Sequence, residues 1–186
     1  MRIETEKKLF TSDDIGKMYD AGILGPDERV ELLDGEVILM PPPGRKHAAC
    51  TNRATAFLTE ALGRRAIVSI QNRMVIDIYN EPLPDVVVYK PREDFYVTID
   101  PGPEHVLLLI EIADTSLTKD RKRKLPHYAA FGVPEYWIED LKHDELHVYR
   151  DPAGNGYTTH LTFRHGDSIS PAAFPDVLLK VADLLG

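Results

Sequence analysis

Apolar and polar residues follow two different periods along this chain, and the changes of period mark its elements. Thr11-Ser12-Asp13-Asp14 offers an N-cap, and the residues after it predict a short helix to about Asp20. In RVELLDGEVILM, residues 29–40, two apolar runs flank Asp34-Gly35, a two-residue turn signal that predicts a hairpin. The prolines of PPPGRKHAAC stop the second strand. A helix then runs from about Lys46 to Leu62, with Ala48, Thr51, Ala54, Phe57, Leu58 and Leu62 on one face.

The middle of the chain is strand-rich. AIVSIQ, RMVIDIY and DVVVYK are candidate strands, the last two separated by the Asn80-Glu81-Pro82 loop. Residues 91–105, rich in Pro, Gly and charge, read as a loop. VLLLIEIA is apolar almost throughout, as a strand buried on both faces must be. Asp114 to Phe131 predicts a helix, with Pro126 as a kink or restart and Gly132 at its C-terminus. EYWIEDL, ELHVYR and GYTTHLTF are further strands, the last two joined by Gly154-Asn155-Gly156. In FPDVLLKVADLLG, Val177, Leu178, Val181, Leu184 and Leu185 fall at helical spacing behind Asp176 as N-cap. Neither internal repeats nor low-complexity segments interrupt the pattern. The elements sum to an α/β fold with a mixed sheet, and 186 residues suit a single domain, 1–186.

Composition removes several function classes. The chain is 43% hydrophobic and 28% charged, ordinary for a globular protein. No apolar run approaches the roughly 18 residues of a membrane span, and MRIETEKKLF lacks the apolar core of a signal peptide. One cysteine, Cys50, allows no internal disulfide, argues against a cysteine-built zinc site and fits a reducing cytoplasm. A net charge of -8 disfavours indiscriminate nucleic-acid binding but leaves room for a local basic groove. There is no Gly-rich phosphate loop and no serine nucleophile elbow. The seven histidines show no metal-ligand spacing; His143 and His147, four apart in a predicted turn and strand, are not expected to meet. Cys50, with His47 nearby, lies on an apolar helix face and reads as core.

Two carboxylates stand out. Asp85 opens the apolar strand DVVVYK, and Glu111 lies inside VLLLIEIA. Each has a plain structural reading, Asp85 as a strand-entry residue after Pro84 and Glu111 as one half of an ion pair. If their strands are neighbours, however, the two meet at one edge of the sheet. Close carboxylates raise each other's pKa unless a cation intervenes, and Mg²⁺ typically takes one or two carboxylates plus waters and phosphate oxygens. After Glu111 comes KDRKRK, residues 119–124, where Asp120, Lys124 and Tyr128 repeat every four residues on one helix face. An ammonium there can stabilise a phosphoryl transition state; a charge run is otherwise a solvated face.

Together, VELLDGEVILMPPPGRKH, EPLPDVVVY, LLLIEIADTSLTKDRKRKLPHYAAFGVPEYWIED and ELHVYR resemble the PD-(D/E)XK nuclease superfamily, and more narrowly its Uma-two-type bacterial endonucleases. The resemblance implies a restriction-endonuclease-like mixed central sheet flanked by helices, with an N-terminal helix and hairpin. It implies a metal-dependent endonuclease acting on DNA with Mg²⁺ or Mn²⁺, without membrane association; double-strand cleavage by one small site would call for a homodimer. By position, Asp85, Glu111 and the carbonyl of Ile112 match the metal ligands. The motif lysine should stand two residues after the glutamate, where this chain has Ala113; Lys124 matches a lysine relocated to the following helix, to position or deprotonate the attacking water. Glu31 resembles an additional acidic site residue, or else a solvent-facing one beside the turn. Gln71 matches a polar position that contacts water or substrate. His47 contacts a phosphate or only caps its helix. Lys119, Arg121, Lys122 and Arg123 are candidate contacts to the DNA backbone. Ala113 and the acidic net charge motivate a rival from another class, a catalytically decayed nuclease fold serving as a nucleic-acid-binding or regulatory module. A protein-interaction scaffold is a third.

Overall fold

A computed structural model describes residues 7–186. The stretch MRIETEKKLF lies partly outside these residues. Helix α1 (Ser12–Asp20) begins at a capping box: Thr11 Oγ1 accepts from the Asp14 amide while the Asp14 carboxylate accepts from the Thr11 amide. The hairpin of β1 (Val30–Leu33) and β2 (Glu36–Leu39) pairs Val30 with Leu39 and Leu33 with Glu36. Its turn residues Asp34 and Gly35 have φ of 53° and 71°, the positive pair that a type I′ turn requires. Strand β1 is stitched to the incoming loop by two Leu32–Glu81 backbone hydrogen bonds of 3.1 and 2.8 Å. That stitching sets Glu31 above the stretch leading to Asp85.

Helix α2 (Arg45–Leu62) buries Cys50, Thr51, Ala54, Leu58 and Leu62. The central sheet has six strands in the order β3 (Ile67–Ile70), β4 (Val86–Tyr89), β5 (Val106–Ala113), β6 (Glu135–Asp140), β7 (Glu145–Ala153) and β8 (Gly156–Arg164). Only β5 and β6 run parallel. Parallel neighbours need a crossover; the helical turns α3 (Leu117–Lys119) and α4 (Leu125–Ala130) supply it. One face of the sheet packs Val86, Leu108, Ile110, Ile112 and Trp137 against α2 and the C-terminal α5 (Val181–Leu185). The other packs Val87, Leu109, Ala113 and Ile138 against Tyr128. Strand β5 is therefore covered on both sides, as its continuous apolar character predicts. Among the described residues no helix is long and apolar enough to cross a membrane.

Three segments depart from the sequence reading. RMVIDIY is no ladder strand: Met74 and Ile76 donate to the carbonyls of Pro82 and Asn80, folding the segment back on itself around Asp77, whose carboxylate accepts from the Tyr79 amide at 2.7 Å. Pro82 and Pro84 lack the N–H groups a longer ladder would need. The C-terminal helix is shorter than its period suggests. Leu179–Lys180 instead forms β10, paired with β9 (Ser168–Ile169), so Val177 and Leu179 are buried while Leu178 is 72% exposed. That is alternation by two, and Asp176 caps no helix but pairs with Arg65 at 2.7 Å. Finally, the crossover helix starts at Leu117 and contains a π turn over Asp120–Lys124. Pro126 follows after Leu125, so the widened turn sits where the proline removes an ordinary helix hydrogen bond.

Candidate active site

Strand register creates the site. Val86 faces Ile110 across the antiparallel β4–β5 pair, so the next position outward sets Asp85 beside Glu111 on one face. Asp85 Oδ2 accepts from the Ile112 amide at 2.9 Å and lies 3.0 Å from His47 Nε2; Oδ1 receives the Gln71 side-chain amide at 3.3 Å. Gln71 sits at the end of β3 with φ of 50° and donates its own amide to the Asp85 carbonyl. Burial by itself raises the Asp85 pKa, but His47, the Ile112 N–H and Lys124 outweigh it and hold the group below its ordinary value.

Behind Asp85 lies a buried charge cluster. Lys124 Nζ is 2.8 Å from Glu111 Oε1 and 2.6 Å from Glu31 Oε1. Glu111 Oε1 also accepts from Tyr128 Oη at 2.9 Å, and Glu31 Oε2 from Lys119 Nζ at 2.9 Å. The Leu83 amide donates to Glu31 Oε1. Asp120 completes the group, its Oδ1 3.9 Å from the Lys124 ammonium. Four buried carboxylates, Glu31, Asp85, Glu111 and Asp120, thus face two ammonium groups. Burial and the like charges of Asp120, Asp85 and Glu31 push Glu111 well above the usual carboxylate range despite Lys124. Glu31 goes the other way, since its two lysines overcome its burial. Lys124 is desolvated, yet its three carboxylates raise its pKa, so it is an ammonium at neutral pH.

Asp85, Glu111, Lys119, Asp120 and Lys124 form the floor of a cleft of about 340 Å³, with Glu31 buried behind them. Leu39, Met40 and the prolines at 41–43 form an apolar wall, and Gly44 and His47 bring the first turn of α2 to its rim.

The structure therefore brings together Asp85, Glu111, Lys124, Glu31 and Gln71, with Ile112 bound through its amide to Asp85. It overturns two plain readings: Glu31 is fully buried rather than solvent-facing, and His47 touches Asp85 rather than only beginning a helix. Asp120 is the residue that sequence reasoning passed over. Its spacing to Lys124 was visible, but not that both side chains turn inward. The basic run divides. Lys119 binds Glu31, and Arg123 binds the Leu33 carbonyl and the Asp34 carboxylate, so both lock the hairpin to the helix. Lys122 stays exposed. His143 and His147, unexpectedly, both reach the Asp140 carboxylate, at 2.7 and 3.7 Å. Among the described residues no three His, Cys, Asp or Glu side chains are grouped so as to hold a metal by themselves.

Comparison with known proteins agrees with this architecture. A family profile, Uma2, described as "Putative restriction endonuclease", matches residues 14–182. The fold is similar to a crystal structure from Anabaena variabilis described as "a putative nuclease belonging to DUF820", with a TM-score of 0.76 and 22% identity over 95% of this chain and 97% of that one. At that identity the likeness carries the fold. No curated protein matches the chain.

Proposed function

The chain belongs to the Uma2 family, and from that premise we propose that it is a metal-dependent endonuclease, one restriction-endonuclease-like domain over residues 1–186, that hydrolyses phosphodiester bonds in DNA in the cytoplasm. The observation that carries this reading is the placing of Asp85 and Glu111 one position beyond the Val86–Ile110 pair of β4 and β5, with the Lys124 ammonium 2.8 Å from Glu111.

The donor set suits a hard divalent ion such as Mg²⁺ or Mn²⁺. Such ions take oxygen ligands, typically one or two carboxylates with the rest water and phosphate, so a third acidic ligand is not needed. Glu111 Oε2 makes no hydrogen bond among the described residues, and Asp85 Oδ1 has only a long one to Gln71. In an antiparallel ladder the N–H and C=O of a residue leave on the same edge. The Ile112 N–H points to Asp85, so its carbonyl is turned to the same side as a further ligand. The excess of buried carboxylates over ammonium groups favours binding a cation. A divalent ion held there supplies charge stabilisation at the scissile phosphate and a more acidic water.

The remaining roles follow from contacts. His47 and Gln71 fix the Asp85 carboxylate from two sides. Glu31 and Glu111 keep Lys124 protonated, so Lys124 offsets developing negative charge on the phosphate and does not act as a base. Water adds to phosphorus and releases a proton to solvent, the bond to the leaving sugar oxygen breaks, and that oxygen takes up a proton from solvent, so one water is consumed. One such site per chain makes a homodimer the natural unit for cutting both strands.

Incubating supercoiled plasmid with Mn²⁺ tests the reading. Wild-type protein is expected to nick it, and Asp85→Ala and Glu111→Ala to lose at least about a thousandfold of that activity. Variants that cut as well as wild type would sink the assignment. Binding of DNA without any Mn²⁺-dependent cleavage would mark a decayed, non-catalytic module instead.

A further inference from the structure

We infer that Asp120 is a catalytic residue whose free carboxylate oxygen accepts a hydrogen bond from the attacking water and aims it at the phosphate. This rests on the nuclease reading and assigns the one buried acidic group lining the cleft that the reading leaves without a task.

Asp120 is 1% exposed and opens the π turn. Its Oδ2 is engaged, accepting from Ser116 Oγ at 2.5 Å. Its Oδ1 is buried and has no hydrogen-bond partner among the described residues. Lys124 Nζ stands 3.9 Å away, too far for a hydrogen bond, and is already shared between Glu31 and Glu111. A buried carboxylate oxygen without a donor is costly to the folded state. The helical segment leaves no donor for it, and Asp120 lines the same cleft as Asp85 and Glu111. The missing donor therefore arrives through the cleft.

Chemistry narrows what that donor is. A phosphate oxygen is an anionic acceptor and repels a carboxylate. Water is the neutral donor that a hydrolytic cleft must admit. Hydrolysis also needs an acceptor to orient it, and the other buried carboxylate oxygens are either paired or, like Glu111 Oε2 and Asp85 Oδ1, assigned to the metal ion. Asp85 Oδ2 accepts from Ile112 and His47, Glu111 Oε1 from Lys124 and Tyr128, and both Glu31 oxygens are paired. Lys124, held as an ammonium, only donates. Ser116 anchors the other oxygen of Asp120 and so fixes the direction of Oδ1. The π turn has a consequence here as well: a widened turn sets the angle at which Asp120 and Lys124 both face the sheet.

Steady-state cleavage by Asp120→Ala and Asp120→Asn tests this, alongside Mn²⁺ affinity and the thermal midpoint of the metal-free proteins. Misorienting a reactant costs on the order of 100-fold. We expect Asp120→Ala to lose about that in kcat, with KM unchanged, Mn²⁺ affinity changed far less than kcat and a midpoint no lower than that of wild type. Asp120→Asn keeps a carbonyl acceptor of the same shape and should recover to within about tenfold of wild type. Should Asp120→Ala fail to fold, Ser116→Ala, which unfastens the carboxylate, should lower kcat about tenfold at constant KM. The inference is overturned if Asp120→Ala cuts within threefold of wild type, if Ala and Asn lose equally, or if Mn²⁺ affinity falls with kcat. In those outcomes Asp85→Ala remains inactive and the nuclease reading stands. A wild-type protein that cuts nothing removes both.

Discussion

The Lys124 ammonium lies 2.8 Å from Glu111 Oε1, although the two are 13 residues apart and arrive from a helix and a strand. A lysine two residues after the glutamate would share its face of β5, but that position is Ala113, buried at 1% exposure under the crossover helix. The helix returns the charge to the same place from above. It also gives Lys124 a second carboxylate, Glu31, which a strand lysine need not meet.

This geometry makes Lys124 structurally as well as chemically important. Lys124→Met leaves Glu31 and Glu111 buried with one cation between them fewer. Removing one partner of a buried ion pair costs about 3–5 kcal/mol, so urea denaturation should show a loss of that size. Glu31→Gln added to Lys124→Met should restore part of it. A single variant as stable as wild type contradicts the buried cluster.

His47 acts through Asp85, 3.0 Å from its Oδ2. Groups that orient a metal ligand typically contribute 10- to 100-fold to affinity or activity. His47→Ala should weaken Mn²⁺ binding by about that factor while the protein stays folded. Unchanged affinity in a calorimetric titration would return His47 to a role in helix packing alone.

Glu139, the register partner of Ile112 on β6, offers a pH test that reads stability and not cleavage. It is fully buried on β6, and neither carboxylate oxygen has a partner. Burial, with a smaller push from Asp85, raises it from 4.5 to about 8. The folded protein therefore keeps a proton that the unfolded chain releases above pH 4.5. Stability from this group is complete below that pH and is lost as pH rises through about 8, at up to about 1.4 kcal/mol per unit. Glu139→Gln should flatten the unfolding free energy across that window. An equal slope in both proteins would show that Glu139 does not carry it.

If the chain binds DNA as proposed, Arg45 and Lys46 are freer to contact it than Lys119 and Arg123. Lys119 and Arg123 are engaged with the hairpin, whereas Arg45 and Lys46 are exposed in the first turn of α2, which contains no acidic residue. Each of Arg45→Ala and Lys46→Ala should weaken DNA binding similarly for all sequences and reduce the salt slope by about one. A slope unmoved by both places the DNA elsewhere.

Much of this was legible in the residues. Asp34-Gly35 announced the hairpin, and the apolar run of β5 announced burial on both faces. Asp85 and Glu111 were readable as a pair because one opens an apolar strand and the other interrupts one. What could not be read depended on tertiary partners. RMVIDIY has strand composition but finds no strand to pair with. Residues 177–181 satisfy both a helical and an alternating period, and pairing with Ser168–Ile169 decides between them. Glu31 and Asp120 are ordinary surface residues until the hairpin docks and the π turn rotates the helix. The basic run looked like one patch because sequence does not show which side chains turn inward.

The most direct test of the account is anomalous diffraction from a crystal soaked in Mn²⁺. The account predicts one strong peak between the carboxylates of Asp85 and Glu111, beside the Ile112 carbonyl, with the Lys124 ammonium next to Glu111 and not in contact with the ion. A saturating soak that leaves no peak there, or places Mn²⁺ only at other carboxylates, would contradict it.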